Sequence, residues 1–332
     1  MRAMRFTRPA GIETAPLRAV EIPEPEPRPG EIRVKVKACG ICRTDLHVVE
    51  GDLPAVRSPL TPGHQVVGVV DGLGAGAVRF RHGERVGIAW LRSTCGACDE
   101  CRRGDENLCG RSRYTGYHED GGYAEHALVP EAFAYAVPET FGDAEATPLL
   151  CAGIIGYRAL ARSEVPPGGR LGIYGFGSAA HIAIQIARHR GCEVHVMTRG
   201  ASHRRLALSL GAAWAGDAAD APPAPLDGAI LFAPAGELVP PALRALRSGG
   251  TLAIAGIHTT PVPAMTYVEH LFHEKRLTSV EANTRRDGEE LLREAAAIPI
   301  RPQVRPFPLA EANQALLALK RDGIDGTGVL IV

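Results

Sequence analysis

Leu171-Gly172-Ile173-Tyr174 is a short apolar strand pattern that runs straight into Gly175-Phe176-Gly177-Ser178-Ala179-Ala180, and no other stretch narrows the fold as much. The second segment fits G-x-G-x-x-A. Residues 179–190 behind it read as a helix. Glycines in such a turn let backbone N–H groups approach a pyrophosphate at the helix N-terminus. The motif is weak by itself; a strand before it and a helix after it make the dinucleotide reading stronger than that of a plain strand–turn–helix. Gly175, Phe176, Gly177, Ser178, Ala179 and Ala180 are therefore candidate cofactor-binding residues. Strand patterns at 193–197, 229–232 and 251–255 alternate with helical ones at about 202–210 and 237–246. That alternation predicts βαβ units and a parallel, doubly wound sheet.

The strand at 193–197 ends in Met197-Thr198-Arg199-Gly200. Enzymes that use NAD place an acidic residue there, about 20 residues past the glycines, for the ribose diol. Thr198 takes its place, so no carboxylate repels a 2′-phosphate. Arg199, with His203 or Arg204, would bind one. The alternative is a surface arginine with no role. The substitution predicts NADP(H) in preference to NAD(H).

The chain before residue 150 has a different character. Residues 31–38 alternate polar and apolar, the period of a half-buried strand, and short strands at 65–71, 84–90, 123–129 and 134–137 are separated by glycines. A β-rich first domain joined to an α/β second one fits the length of 332 residues. With 37 basic and 37 acidic residues there is no electrostatic reason to expect nucleic acid or an anionic membrane as partner. Residues 1–20 lack a signal-peptide core, and no run approaches the ~20 apolar residues of a membrane span. A cytoplasmic protein is expected.

Eight cysteines in such a chain read as metal ligands or buried thiols before disulfides. Cys95, Cys98, Cys101 and Cys109 follow C-x2-C-x2-C-x7-C, a spacing that wraps one tetrahedral zinc with no open position. An iron–sulfur cluster would ask for a shorter last gap and a following proline, where Gly110 stands. Unliganded thiols or disulfides are the other alternative. The run Cys39-Gly40-Ile41-Cys42-Arg43-Thr44-Asp45-Leu46-His47 packs thiol, hydroxyl, carboxylate and imidazole into nine residues without apolar periodicity. Cys42, His64 and Cys151 would make a two-thiolate, one-imidazole set of the kind found in catalytic zinc sites. Spacing alone does not single them out. Cys39, Cys151 and Cys192 are alternatively small buried hydrophobes, the preferred reading for Cys39 and Cys192.

Together with Cys39–His47 and the four-cysteine run, the landmarks Pro62-Gly63-His64, Asp120-Gly121-Gly122-Tyr123-Ala124-Glu125 and Pro148-Leu149-Leu150-Cys151-Ala152-Gly153, with Tyr157, carry a resemblance along nearly the whole chain. It resembles the zinc-dependent alcohol dehydrogenases of the medium-chain dehydrogenase/reductase superfamily. Gly87-Ile88-Ala89-Trp90-Leu91 is most similar to the yeast and bacterial branch that handles small alcohols.

The resemblance implies a GroES-like catalytic domain at 1–152 and 286–332 and a Rossmann domain at 153–285. It implies two zinc ions per chain, the catalytic one on Cys42, His64 and Cys151 and the structural one on the four-cysteine run. Thr44 would hydrogen-bond the alcohol oxygen, and His47 would pass the proton on by way of the cofactor ribose. Asp45 would orient His64, Arg43 would lie near the pyrophosphate, and Trp90 would wall the substrate pocket. Homodimers or homotetramers are implied, tetramers in the bacterial branch.

The sequence departs from the family at two places: Gln65 replaces the glutamate that follows the zinc histidine, and Thr327 replaces the arginine after Gly326. The leading expectation is reversible hydride transfer between NADP(H) and a primary or secondary alcohol, or the corresponding aldehyde or ketone. The alternatives are a zinc-free-type quinone or enone reductase, or a non-catalytic nucleotide-binding member of the same superfamily.

Overall fold

A computed structural model describes residues 1–332 and divides them into two units, Met1–Cys151 with Ala282–Ala296 and Arg301–Val332, and Ala152–Glu281 with Ala297–Ile300. No helix is long and apolar enough to cross a membrane.

The first unit is built on the strand Glu31–Gly40. Its alternation turns Ile32, Val34, Val36 and Ala38 inward and Lys35 and Lys37 outward, as a period of two requires. Burying each such valine or isoleucine contributes roughly 1.5–3 kcal/mol. The strand runs two residues past the predicted 31–38, and Cys39 on that extension is fully buried. Around it lies a seven-stranded sheet in the order Val304–Pro308, Thr327–Ile331, Glu31–Gly40, Gln65–Leu73, Arg85–Ile88, Ala134–Ala136, with His126–Pro130 also paired to Glu31–Gly40. The end of the chain thus returns to this sheet, with Val329 opposite Gly40.

The second unit is a six-stranded sheet whose neighbours all pair in parallel. Its order is Trp214–Gly216, Glu193–Met197, Arg170–Tyr174, Leu226–Leu231, Leu246–Ile254, Arg276–Ser279. In chain order that is third, second, first, fourth, fifth, sixth, the doubly wound arrangement of a Rossmann sheet. The central strands are near-continuous buried apolar runs, as a sheet covered on both faces demands. The helices Ala152–Arg162 and Ser178–His189 approach closely because residue 156 is glycine; a Cβ there would lie 3.0 Å from the Ala179 carbonyl oxygen. On the edge strand Trp214–Gly216, the Trp214 ring meets His195 edge-on at 6.3 Å. The opposite edge, Arg276–Ser279, has no sequence signature because three of its four residues are polar.

Candidate active site

The register of two neighbouring strands builds one side of the site. Gly40 lies opposite Gln65, so Cys42, just past one strand, meets His64, just before the other, across 22 residues of chain. Gly63 turns the chain into His64 with a φ of 100°, and a Cβ there would strike the Tyr123 ring at 2.3 Å. Both the backbone and the space require glycine.

Cys42 is the extended residue that opens the helix Arg43–Glu50. Asp45, three residues on, accepts from the Cys42 backbone N–H at 2.9 Å through Oδ2, and its Oδ1 lies 3.0 Å from His64 Nδ1. Asp45 and His64 side chains are each 1% exposed. With Nδ1 held against Asp45, His64 turns its Nε2 toward the two cysteines, 3.4 Å from Cys42 Sγ and 3.3 Å from Cys151 Sγ. The two sulfurs are 3.9 Å apart.

Cys151 lies at the joint between a 3-10 turn, Thr147–Leu150, and the helix Ala152–Arg162. The helix begins only at Ala152, past the tighter turn that Pro148 enters, and this leaves Cys151 off the helix with φ −138° and ψ −76°.

The hydrogen bond to Cys151, together with burial, holds the Cys42 thiol well above its ordinary value. Burial opposes a charged His64, yet the charges of Asp45 and Cys42 outweigh it and raise the imidazole to about 10. A buried carboxylate, two sulfurs and an imidazole within such reach favour a cation. The three donor atoms lie within 4.8 Å of one another. Two sulfurs and one nitrogen fit zinc with a fourth position left over.

The four cysteines of the second cluster also bring their sulfurs within 4.8 Å. Backbone N–H groups of Ala97 and Cys98 point at Cys95 Sγ at 3.4 and 3.3 Å, and those of Cys95 and Arg111 at Cys109 Sγ at 3.4 Å each. The Ala97 and Cys98 donors carry the Cys95 thiol down to about 5. A thiolate-stabilising loop with four sulfurs fits a closed zinc site.

On the helix Arg43–Glu50, Thr44 is half-buried in the first turn and His47 follows one turn later. His47 Nδ1 is 2.7 Å from Asp52 Oδ2. Arg43 is exposed and paired with Asp322 at 2.5 Å. Gln65 is fully buried, and neither atom of its amide has a hydrogen-bond partner. Trp90 touches the His64 ring edge-on at 4.9 Å, and its other contacts are a stack: Tyr114 at 4.9 Å and Tyr117 at 5.9 Å, with His118 against both tyrosines. Tyr117 Oη donates to the Pro54 carbonyl at 2.7 Å. Sequence reasoning passed over Asp52, Tyr114, Tyr117 and His118. The cluster Tyr-x-x-Tyr-His in a chain with only 5% aromatic residues was the available signal.

In the second unit Gly175 has a φ of 87°, and a Cβ there would meet the Ala233 backbone nitrogen at 2.8 Å. Gly177 differs: its φ is −106°, and nothing lies within 4 Å of a Cβ placed on it. Phe176 and Ala180 are buried, and Ser178 and Ala179 are half-buried at the start of the helix. Thr198 is buried at the end of its strand. Arg199 is exposed and His203 half-buried. Arg204 Nη1 donates to the Thr198 carbonyl at 3.1 Å and to Asp217 at 3.0 Å, so its guanidinium is already engaged by a carboxylate that the sequence pattern did not single out.

A family model described as Alcohol dehydrogenase GroES-like domain matches residues 28–139, and one described as Zinc-binding dehydrogenase matches residues 179–297. The chain is 55% identical over 337 residues to a protein named "Probable alcohol dehydrogenase AdhA" from Mycobacterium tuberculosis, covering 100% of this chain and 97% of that one. It belongs to the zinc-binding alcohol dehydrogenase family.

Among solved structures it is similar to a cobalt- and zinc-bound thermostable alcohol dehydrogenase from Pyrobaculum aerophilum, at 27% identity and a TM-score of 0.89 over 100% of this chain and 99% of that one. A chain from Sinorhizobium meliloti bound to NADP gives 29% identity and a TM-score of 0.85, with the same coverage. The protein is therefore an NAD(P)-dependent alcohol dehydrogenase by family, with a GroES-like domain and a Rossmann-like parallel sheet.

Proposed function

We propose that this alcohol dehydrogenase is zinc-dependent and prefers NADP(H), interconverting a primary or secondary alcohol with its aldehyde or ketone. The observation that carries the proposal is the convergence of Cys42, His64 and Cys151, with Asp45 fixing the face that His64 presents. These three residues would hold the catalytic zinc, and Cys95, Cys98, Cys101 and Cys109 a structural one. When bound, zinc supplies a Lewis acid at the alcohol or carbonyl oxygen, and the nicotinamide dinucleotide exchanges the hydride.

The chain's own residues do the rest. Thr44 Oγ1 would take the substrate proton, and His47, whose side chain is 26% exposed, would pass it on to solvent. Trp90 closes one side of the substrate space and limits its width. The first unit would be the catalytic domain and the second the cofactor domain. Gly177 supports the latter: neither its backbone angle nor its packing needs glycine, which leaves room for a pyrophosphate. Thr198 and exposed Arg199 support NADP(H), with Arg204 shared with Asp217.

Homo-oligomerisation is supported by the edge strand Arg276–Ser279 and the exposed Tyr267, Val268, Phe272 and Leu277 near it. A small-molecule substrate and cytoplasmic residence complete the reading.

The test is metal analysis with a panel of alcohols and aldehydes run against NADPH and NADH in parallel. Two zinc per chain and faster turnover with NADPH are expected. Two zinc without turnover on any member of the panel would end the enzyme reading.

A further inference from the structure

His47 stands in the last turn of the helix Arg43–Glu50, and the helix ends at Gly51. Gly51 has a φ of 89°, the left-handed turn that glycine makes at helix ends. The turn folds the following residues back onto the helix: the backbone N–H groups of Gly51 and Leu53 both donate to the His47 carbonyl, at 3.0 and 3.3 Å. Asp52, between them, is thereby brought back to the His47 ring, with its Oδ2 2.7 Å from Nδ1. A second tie holds the same loop, the Tyr117 hydroxyl donating to the Pro54 carbonyl. Tyr117 is also part of the ring stack on Trp90, so one short loop is fastened both to the helix of His47 and to the aromatic wall.

A carboxylate oxygen only accepts. At 2.7 Å the contact is a hydrogen bond only if Nδ1 carries the proton, and neutral His47 then has its lone pair on Nε2. The Asp52 side chain is 61% exposed and that of His47 26% exposed, so the pair lies at a boundary between protein and solvent. A surface ion pair there would contribute little to stability. Choosing which ring nitrogen receives a proton does not depend on that contribution.

We propose that Asp52 is a positioning residue of the proton path: it fixes His47 as the Nδ1–H tautomer, with Nε2 as the proton acceptor. No bond other than N–H is made or broken. A proton arrives at Nε2 during alcohol oxidation, and a proton is released from the ring to water. The proposal rests on the reading of His47 as the relay given above, and the experiment separates the two.

The test uses the full chain carrying Asp52→Asn, Asp52→Glu and, separately, His47→Gln. Two-bond proton–nitrogen NMR of the imidazoles, with His47 assigned by its loss in His47→Gln, reads the tautomer directly without substrate or cofactor. Steady-state alcohol oxidation and its solvent deuterium isotope effect read the consequence. The expected result is the Nδ1–H tautomer in the unaltered chain and a shift toward Nε2–H in Asp52→Asn. With it should come a kcat for alcohol oxidation lower by about tenfold, a larger solvent isotope effect and a KM within about twofold. Asp52→Glu should restore both tautomer and rate.

An Asp52→Asn chain that keeps the Nδ1–H tautomer overturns the proposal. So does one that keeps its kcat while His47→Gln loses activity. If His47→Gln itself oxidises alcohol at the unaltered rate, the relay reading falls and the proposal with it, and the NMR arm still shows whether Asp52 selects the tautomer. Thermal unfolding of each variant identifies any loss due to misfolding.

Discussion

Gly40 and Gln65 face each other across two antiparallel strands, and a methyl group on Gly40 would sit 2.8 Å from the Gln65 amide oxygen. That pairing sets the separation between Cys42, two residues past Gly40, and His64, one residue before Gln65. Space at Gly40 is thus part of how two proposed zinc ligands, distant in sequence, come within 3.4 Å.

Gly40→Ala should therefore act on the metal site as well as on the sheet. Overpacking of this kind costs about 1–3 kcal/mol, readable as a lower urea midpoint. Bound zinc should fall from two per chain toward one. An alanine variant with an unchanged midpoint and two zinc would show that the strands simply part to accept it.

Asp45 uses one oxygen to fix the Cys42 backbone and the other to fix His64. Asp45→Asn keeps the shape and removes the charge. Partners of this kind typically change metal affinity about 10–100-fold, so competition with a chromogenic chelator should show one of the two zinc ions weakened by that factor. The ion of the four-cysteine cluster serves as the internal control. Equal loss of both would point to general destabilisation instead.

Cofactor preference should respond to the double change Thr198→Asp with Arg199→Gly. A hydrogen bond to a charged group is worth ~1.5–3 kcal/mol, so the ratio of kcat/KM for NADPH over NADH should fall by about tenfold or more. An unchanged ratio would assign the selection to another group, with Arg204 beside Asp217 the first to examine.

His181 is buried in the helix Ser178–His189, and loss of hydration lowers it from the ordinary 6.5 to about 4. Between those values the unfolded chain binds a proton that the folded chain does not. Its contribution to stability is complete above about pH 6.5 and disappears as the pH falls through about 4, roughly 3 kcal/mol in all. Denaturant unfolding of His181→Leu across that range should show a shallower acid decline than the unaltered chain. Parallel curves would mean that other groups govern the decline.

Much of this was legible because the chemistry is local. The glycine turn at 175–180 and the four cysteines within 95–109 each sit in one short segment, and periodicity alone announced the parallel sheet. Elements lacking a local signal were missed. The edge strand Arg276–Ser279 has a polar sequence and owes its existence to pairing with Leu246–Ile254. Cys151 stands off the helix Ala152–Arg162, just past a 3-10 turn with Pro148 in it, a break that helical periodicity does not reveal. Asp52 and Tyr117 owe their places to a left-handed glycine and a long-range hydrogen bond, neither of which has a periodic pattern. The ligand set Cys42, His64, Cys151 was named through resemblance, since a separation of 87 residues between the last two gives spacing nothing to measure.

The chain has two tryptophans, one in each unit, and each ring lies against a histidine: Trp90 on His64 and Trp214 on His195. The protein thus contains a pair of built-in optical probes. Trp90→Phe leaves an emission that follows the parallel sheet alone, and Trp214→Phe leaves one that follows the surroundings of His64. Fluorescence from these two chains can time the melting of one unit against the other without an added label.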